Sequence, residues 1–376
     1  MQNIGWFVPQ YLNISETFIH EPLQKFKQFY PLIFTGRKKN LDKFPYPDVY
    51  SSSQDITGLA LKVNDLLAIF GRERFFADLI KNRNVCLLHA HFGVNGNFAL
   101  QFKKRLNIPL IVQFYGADLY RWGRDPYNKY CYHKLFKKAD LFLVCSDKMK
   151  RDLIAYGCPH EKVKRFYLGL DLNKFPVNLR KNNNNPNQPV KFLMCGRFVE
   201  KKGFEYAIQA FEGIPKDEYL LNIIGSGDLQ SKYEQIAKDS GVIDNISFMG
   251  SASYAEYIDS LYQTDVLIVP SVTAKSGDSE GLPMVLLEGV ASGAVTIASE
   301  HAGIPEVVKD GETGFLTPER DVAAIREKIK HVIANRDEFD KLRSAGRKII
   351  ETEFDLDKQI VKLEDIYNRL IKENSK

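Results

Sequence analysis

Two glutamates, Glu280 and Glu288, stand eight residues apart around the run Gly281-Leu282-Pro283-Met284-Val285-Leu286-Leu287. Carboxylates accept hydrogen bonds from vicinal diols, so the pair suits the hydroxyls of a sugar and of a ribose. Pro283 fits the first turn of a helix. That puts Glu280 in the preceding loop and Glu288 within the helix, on either side of amides that attract anions. The apolar stretch between them weighs against two solvated acids, and Glu288 in a buried helix needs a partner.

A second cluster, Cys195-Gly196-Arg197-Phe198-Val199-Glu200-Lys201-Lys202-Gly203, follows an apolar run and opens a helical pattern. Gly196 permits a sharp turn and Gly203 a close approach at the helix start. Free N–H groups there, with Arg197 and Lys202, suit a diphosphate. The plainer alternative is a strand–loop–helix junction with two solvated cations. The third cluster is Phe114-Tyr115-Gly116-Ala117-Asp118, with His89-Ala90-His91-Phe92-Gly93 ending the strand candidate before it. Both fall where a cleft between domains would lie, and each also reads as a capped turn. Ile224-Gly225-Ser226-Gly227-Asp228 lacks the third glycine of a dinucleotide fingerprint, since Gln230 stands there. The seven histidines are scattered, and His89 and His91 lack a nearby carboxylate or cysteine, so no metal site is expected. The five cysteines are odd in number and show no CxxC spacing, which reads as reduced thiols.

These clusters need a frame to position them. A chain of 376 residues exceeds what one core usually supports, so two domains are expected. With 44% hydrophobic and 26% charged residues it is no disordered chain, fibrous repeat or disulfide-stapled miniprotein. No apolar run reaches the roughly 18 residues that span a bilayer. Met1 to Val8 makes a poor signal peptide and a good first strand. Strands are expected at 3–8, 31–35, 85–90, 109–114, 140–145 and 162–167, then at 190–195, 219–224, 245–249, 265–270, 294–298 and 314–317. Helices are expected at 16–28, 58–82, 94–105, 127–138 and 147–156, then at 203–213, 228–240, 253–263, 283–292 and 320–335. This alternation means parallel sheets covered on both faces. The domains are read as 1–180 and 190–354, with a polar linker at 181–189 and a last helix at 355–376 carrying Ile360, Leu363, Ile366 and Leu370 on one face. Ligands of such α/β domains sit at the C-terminal ends of the strands.

Charge is uneven. Residues 1–180 carry 28 Lys and Arg against 15 Asp and Glu, and residues 181–376 carry 24 against 32. The basic first half suits an anionic partner, a membrane surface above all, with Lys103-Lys104-Arg105, Lys134, Lys137-Lys138 and Lys148 to Arg151 in helical stretches. Nucleic acid is disfavoured, because the cations are not interleaved with exposed aromatics in a known module.

Taken in order, Gly196-Arg197-Phe198, Lys202-Gly203, the Glu280/Glu288 pair and Gly303-Ile304-Pro305-Glu306 resemble the GT-4 glycosyltransferases of the GT-B fold over nearly the whole chain. Glu280-Gly281-Leu282-Pro283 with Leu287-Glu288 is similar to that family's E-x7-E signature. Ser15-Glu16-Thr17-Phe18-Ile19 and Thr273 to Asp278 resemble bacterial exopolysaccharide and colanic-acid-type transferases more narrowly. The resemblance implies two doubly wound Rossmann-like domains facing a cleft, with a C-terminal helix crossing back to the first. It implies retaining transfer from a nucleotide diphosphate sugar to a glycan or lipid-linked acceptor in surface polysaccharide synthesis, with no metal or other cofactor. The enzyme would be cytoplasmic and peripheral on the inner face of the membrane. By the same resemblance Arg197 and Lys202 neutralise the diphosphate, helped by Gly196 and the amides of Gly281 and Leu282 ahead of Pro283. Glu288 holds the ribose, Glu280 the donor sugar, and the main chain of Phe248, Met249 and Gly250 the base. Tyr115 belongs to the catalytic set, and Ser15, Glu16, Thr17, His91 and Asp118 lie on the acceptor side. Two departures stand out: Tyr115 replaces the histidine of F-H-G-x-D, and Ser15-Glu16-Thr17 replaces a Gly-Gly turn. A nucleotide-sugar epimerase on the same frame is the alternative, ahead of an NAD-linked oxidoreductase, which the missing glycine disfavours.

Overall fold

The computed structural model describes residues 1–14, 16–177 and 188–374. The chain divides into one unit of Met1–Gly169 with Leu356–Lys376 and a second of Leu170–Asp355. Residues 170–177, read from the sequence as part of the first domain, pack with the second. The expected linker 181–189 lies, except for Gln188 and Pro189, outside the described residues.

The first unit is built on strands β1 (Gln2–Val8), β2 (Phe29–Thr35), β3 (Val49–Ser51), β4 (Leu88–His91), β5 (Leu110–Phe114), β6 (Leu141–Val144) and β7 (Val163–Arg165). They form one sheet in the order β3-β2-β1-β4-β5-β6-β7, every pair parallel. Runs such as Leu141-Phe142-Leu143-Val144 are buried throughout, as strands covered on both faces must be. The second unit has β8 (Val190–Cys195), β9 (Tyr219–Ile224), β10 (Ile246–Gly250), β11 (Val266–Val269), β12 (Val295–Ser299) and β13 (Phe315–Thr317). Its sheet is also parallel, in the order β10-β9-β8-β11-β12-β13. Strand order reverses between β1 and β4 in one sheet and between β8 and β11 in the other. The loops leaving β8 and β11 carry Gly196–Gly203 and the segment leading to Glu280, so the fold puts two of the three clusters at a topological switch point.

Two expected elements differ, and two elements are additional. The helix expected at 16–28 is only Thr17–His20 followed by a 3-10 turn at Glu21–Gln24, because Pro22 removes a helical donor. The helix expected at 58–82 is two, Gly58–Ile69 and Phe75–Asn82, parted at Gly71 in the left-handed region with φ +66. Strand β3 and the helix Phe339–Glu353 were not anticipated.

The last helix, Leu356–Asn374, completes the first unit. Leu356, Ile360, Leu363, Ile366, Tyr367 and Leu370 share a core with Trp6, Phe26 and Phe29. Glu364 accepts from the backbone N–H groups of Lys27 at 2.8 Å and Gln28 at 2.7 Å. Trp6 Nε1 donates to the Tyr367 hydroxyl at 3.2 Å, and that hydroxyl lies 2.7 Å from His89 Nδ1. The hydroxyl therefore accepts from tryptophan and donates its own O–H to the histidine ring nitrogen. Burial pushes the His89 pKa down to about 3, which keeps the ring neutral and able to accept. Tyr367→Phe removes the oxygen both partners use. It is expected to destabilise the first unit by about 1–3 kcal/mol. Urea unfolding with domain-resolved probes reads this, and an unchanged midpoint would show the hydroxyl to be dispensable.

Candidate active site

In the second unit the site begins at three glycines that end adjacent strands. Gly196, Gly225 and Gly250 have φ of +152, +149 and +69. Gly196 donates its N–H to Ile224 and Gly225 donates to Gly250, at 3.0 and 2.8 Å. A Cβ on Gly225 would stand 1.9 Å from the Gly196 carbonyl oxygen, so the partial glycine motif Gly225-Ser226-Gly227 serves backbone contact here. Gly203, at φ +64, allows a second close approach, since a Cβ there would stand 1.9 Å from the Pro270 oxygen. Next to it Val272 N–H donates to the Lys201 carbonyl at 2.9 Å. The loop after β8 is thus pressed onto the loop after β11.

That approach brings Lys202 Nζ to 3.0 Å from Glu280 Oε1 and Lys201 Nζ to 3.8 Å from Oε2. Lys201 also reaches Asp278 at 3.3 Å. Burial alone would raise the Glu280 pKa, but Lys202 and then Lys201 outweigh it and hold it at about 2. Glu280 is therefore a fixed anion at neutral pH, fit to accept hydrogen bonds and unfit to supply a proton. Arg197 is exposed and makes no ion pair among the described residues, so its guanidinium is available to an anion. The N–H groups of Gly281 and Leu282 donate no hydrogen bond among the described residues. Pro283 is the N-cap of the helix Met284–Ser292, which no side chain caps. Pro283 has no N–H and the Leu286 N–H is taken by the Pro283 carbonyl at 3.1 Å, so the amides of Met284 and Val285 are left at this end, where free N–H groups attract negative charge.

Glu288 lies inside that helix, buried, and accepts from the Tyr257 hydroxyl at 2.7 Å. This is the partner its burial requires. Burial, then Glu288, pushes the thiol of Cys195 up to about 12, so the neighbouring cysteine stays protonated. Phe248 packs against the core, Met249 is exposed, and Gly250 ends β10 at a bulge.

Sequence reasoning missed a buried relay behind Glu280. His301 Nε2 accepts the Glu280 backbone N–H at 3.2 Å, with the Ser279 hydroxyl at 3.0 Å. A backbone N–H can only donate, so Nε2 is unprotonated and Nδ1 donates to Glu319 at 2.6 Å. Glu319 in turn accepts the Thr273 N–H at 2.9 Å. His301 thereby orients the peptide that carries Glu280. Its one sequence signal is its place just before Gly303-Ile304-Pro305-Glu306.

In the first unit Tyr115 and His91 are brought together, hydroxyl to Nδ1, at 2.5 Å. The phenol stays neutral because burial raises its pKa well above the usual value. Asp118 is buried, and its carboxylate accepts from the N–H groups of Tyr115, Gly116 and Gly93, at 3.0, 3.0 and 3.1 Å. Burial raises its pKa to about 6 despite those bonds. It locks the turn that presents Tyr115. Glu16 accepts from Asn13 through N–H and side-chain amide, at 2.9 and 2.8 Å, and Thr17 starts the short helix Thr17–His20. Ser15 lies outside the described residues.

Two doubly wound parallel domains, with a glycine-lined, cation-bearing switch point in the second, define the GT-B class. Residues 177–349 match the family model of glycosyl transferases group 1, and residues 52–174 match that of glycosyltransferase family 4. The amylovoran biosynthesis glycosyltransferase AmsK of Erwinia amylovora is 32% identical over 74% of this chain and 69% of its own length. The putative colanic acid biosynthesis glycosyltransferase WcaL of Escherichia coli is 30% identical over 64% of this chain, which spans 59% of that protein. The crystal structure of Anabaena HepE with UDP and glucose superposes with a TM-score of 0.80 at 17% identity, over 98% of this chain and all of that one. The chain belongs to the family 4 glycosyltransferases, and it is an enzyme of that class. Transferase, rather than epimerase, is the activity its family carries.

The folded pKa of Glu280 lies below the ordinary value, so the pair's stabilisation is full above about pH 5 and fades as pH falls toward 2. Carbon-detected NMR of the Glu280 carboxylate is expected to show no titration between pH 5 and 9. In Lys202→Met the midpoint moves up, because the largest influence opposing burial is removed and Lys201 and His301 remain. A wild-type midpoint above 4 would break the pairing.

Proposed function

We propose that this transferase moves a sugar, with retention of configuration, from a nucleotide diphosphate sugar to a lipid-linked glycan acceptor in bacterial surface polysaccharide synthesis. The observation that carries the reading is the paired lysine–glutamate site beside an uncapped helix end. A diphosphate leaving group gains negative charge as the glycosidic bond breaks. Lys202 and Arg197 neutralise it, and the free amides of Gly281 and Leu282 add fixed dipoles. These cations supply the charge that a metal would otherwise bring, so the reading is metal-independent. Glu280, held ionised, accepts hydrogen bonds from donor-sugar hydroxyls. Glu288 accepts from the ribose, with Tyr257 as its resting partner. The strand end at Phe248–Gly250 offers main chain to the base. In the first unit Tyr115, braced by His91, positions a hydroxyl, and Glu16 and Thr17 stand on the acceptor side. The complex of HepE with UDP and glucose supports a nucleoside diphosphate donor, and the names of AmsK and WcaL support exopolysaccharide as the product class.

Among the described residues no helix is long and apolar enough to cross a membrane. In this reading a lipid-linked acceptor is met at the membrane surface, on its inner face. Of the cations first read as facing it, Lys103 is paired with Asp140 and Lys148 with Asp152, while Lys104 is not paired among the described residues.

Arg197→Ala and Lys202→Ala are each expected to lower kcat/KM by about tenfold or more, measured as donor turnover with and without a chelator. Wild-type kinetics in both, or loss of activity with the chelator, would count against the assignment. Glu288→Gln is expected to weaken nucleoside diphosphate binding by about 1–3 kcal/mol in calorimetry. Unchanged affinity would leave Glu288 with a structural role, as the acceptor for Tyr257.

A further inference from the structure

The helix Gly58–Ile69 is apolar on both sides but covered on only one. Asn64 is buried, and Leu61, Leu67 and Ala68 are half-buried against the first unit. The Asn64 side-chain oxygen accepts the N–H groups of Arg74 and Phe75, both at 3.0 Å, which fixes the helix to the next one. On the opposite side Leu59, Val63, Leu66 and Phe70 follow at i, i+4, i+7 and i+11. They are 78, 43, 58 and 72% exposed, with Ile69 beside them at 79%. An exposed apolar seam of this kind marks a contact surface.

The same surface is basic where the helix ends. Phe70 and Leu67 line an open groove of about 600 Å³ together with Arg72, Arg74, Lys104 and Arg105. Arg72, Arg74 and Lys104 make no ion pair among the described residues, and neither does Lys62 on the helix itself. The helix's single acid, Asp65, falls off the seam. An apolar stripe bordered by unpaired cations is the complement of an anionic bilayer: side chains enter the acyl boundary while cations meet lipid phosphates.

We infer that Gly58–Ile69, with the Arg72/Arg74/Lys104 groove at its end, is the element by which the first unit docks on anionic lipid. It lies flat in the interface, with Leu59, Val63, Leu66 and Phe70 inserted. The inference rests on the reading of a membrane-borne acceptor and narrows it from a basic half to one helix.

The test uses the full chain and vesicles of phosphatidylcholine with or without phosphatidylglycerol. The chain is expected to sediment with phosphatidylglycerol vesicles, and added salt is expected to weaken this. Leu66→Asp with Phe70→Asp, both at exposed positions, is expected to cut that binding by about tenfold or more while the thermal melt stays in place. Arg72→Gln with Arg74→Gln and Lys104→Gln is expected to cut it by about a hundredfold at low salt. Retained binding in either variant overturns the inference. So does equal binding to neutral vesicles, no binding by the wild type, or a seam variant that turns a dimer into a monomer, since a second copy would then cover the seam. The two readings fail separately. Transfer to a water-soluble acceptor without vesicle binding overturns the docking surface and spares the transferase. Vesicle binding without transfer to a lipid-linked acceptor strikes the acceptor reading and supports the surface.

Discussion

Lys202 reaches Glu280 because two loop backbones touch. The approach at Gly203 leaves no space for a Cβ beside the Pro270 oxygen, and Val272 is hydrogen bonded to Lys201 directly next to it. Everything chemical in the second unit hangs on this junction. It sets two ammonium groups against one carboxylate, and the carboxylate carries the peptide that leads into an uncapped helix. A charged pair partly withdrawn from water is stable only with good geometry and satisfied neighbours. The His301–Glu319 pair supplies that support by holding the peptide of Glu280 from behind.

The arrangement also assigns each acid its chemistry. Glu280 is kept ionised by neighbouring cations, whereas Glu288 is kept in place by a phenol. Asp118 is a third case, a buried carboxylate spent on three backbone N–H groups. One functional group, the carboxylate, therefore serves as a fixed anion, a hydrogen-bonded acceptor and a turn lock. Surroundings, not side-chain identity, separate these uses.

Much of this was legible in the sequence because parallel strands buried on both faces read as short apolar runs. β6 and β11 announce themselves in that way. β3 did not, since three residues after Pro45-Tyr46-Pro47 give too little pattern to separate from a loop. The segment 16–28 looked helical by spacing, yet Glu16 folds back onto Asn13 and Pro22 interrupts. At 58–82 the apolar period runs on through a break that only Gly71 signals. Glu280, Glu288 and Lys202 were readable because residue type and spacing sit in one local stretch. The partners that tune them were not. Tyr257 lies 31 positions from Glu288, and His301 lies 21 from Glu280, each brought in by strand order alone. Asp118 was visible as a residue but not as a turn lock, because its three donors come from two separate strand ends.

The first unit is interrupted by the whole of the second. Trp6 and Phe29 near the start of the chain share a core with Ile360, Tyr367 and Leu370 near its end. During synthesis the first sheet must wait for Leu170–Asp355 to emerge, roughly 10–40 s at ~5–20 residues per second. Throughout that interval its apolar face lacks the helix that closes it, while the inserted domain can already fold on its own core. A nascent chain paused there offers a chaperone an open hydrophobic surface, and a message truncated before Leu356 yields a folded second domain tethered to an unfinished first.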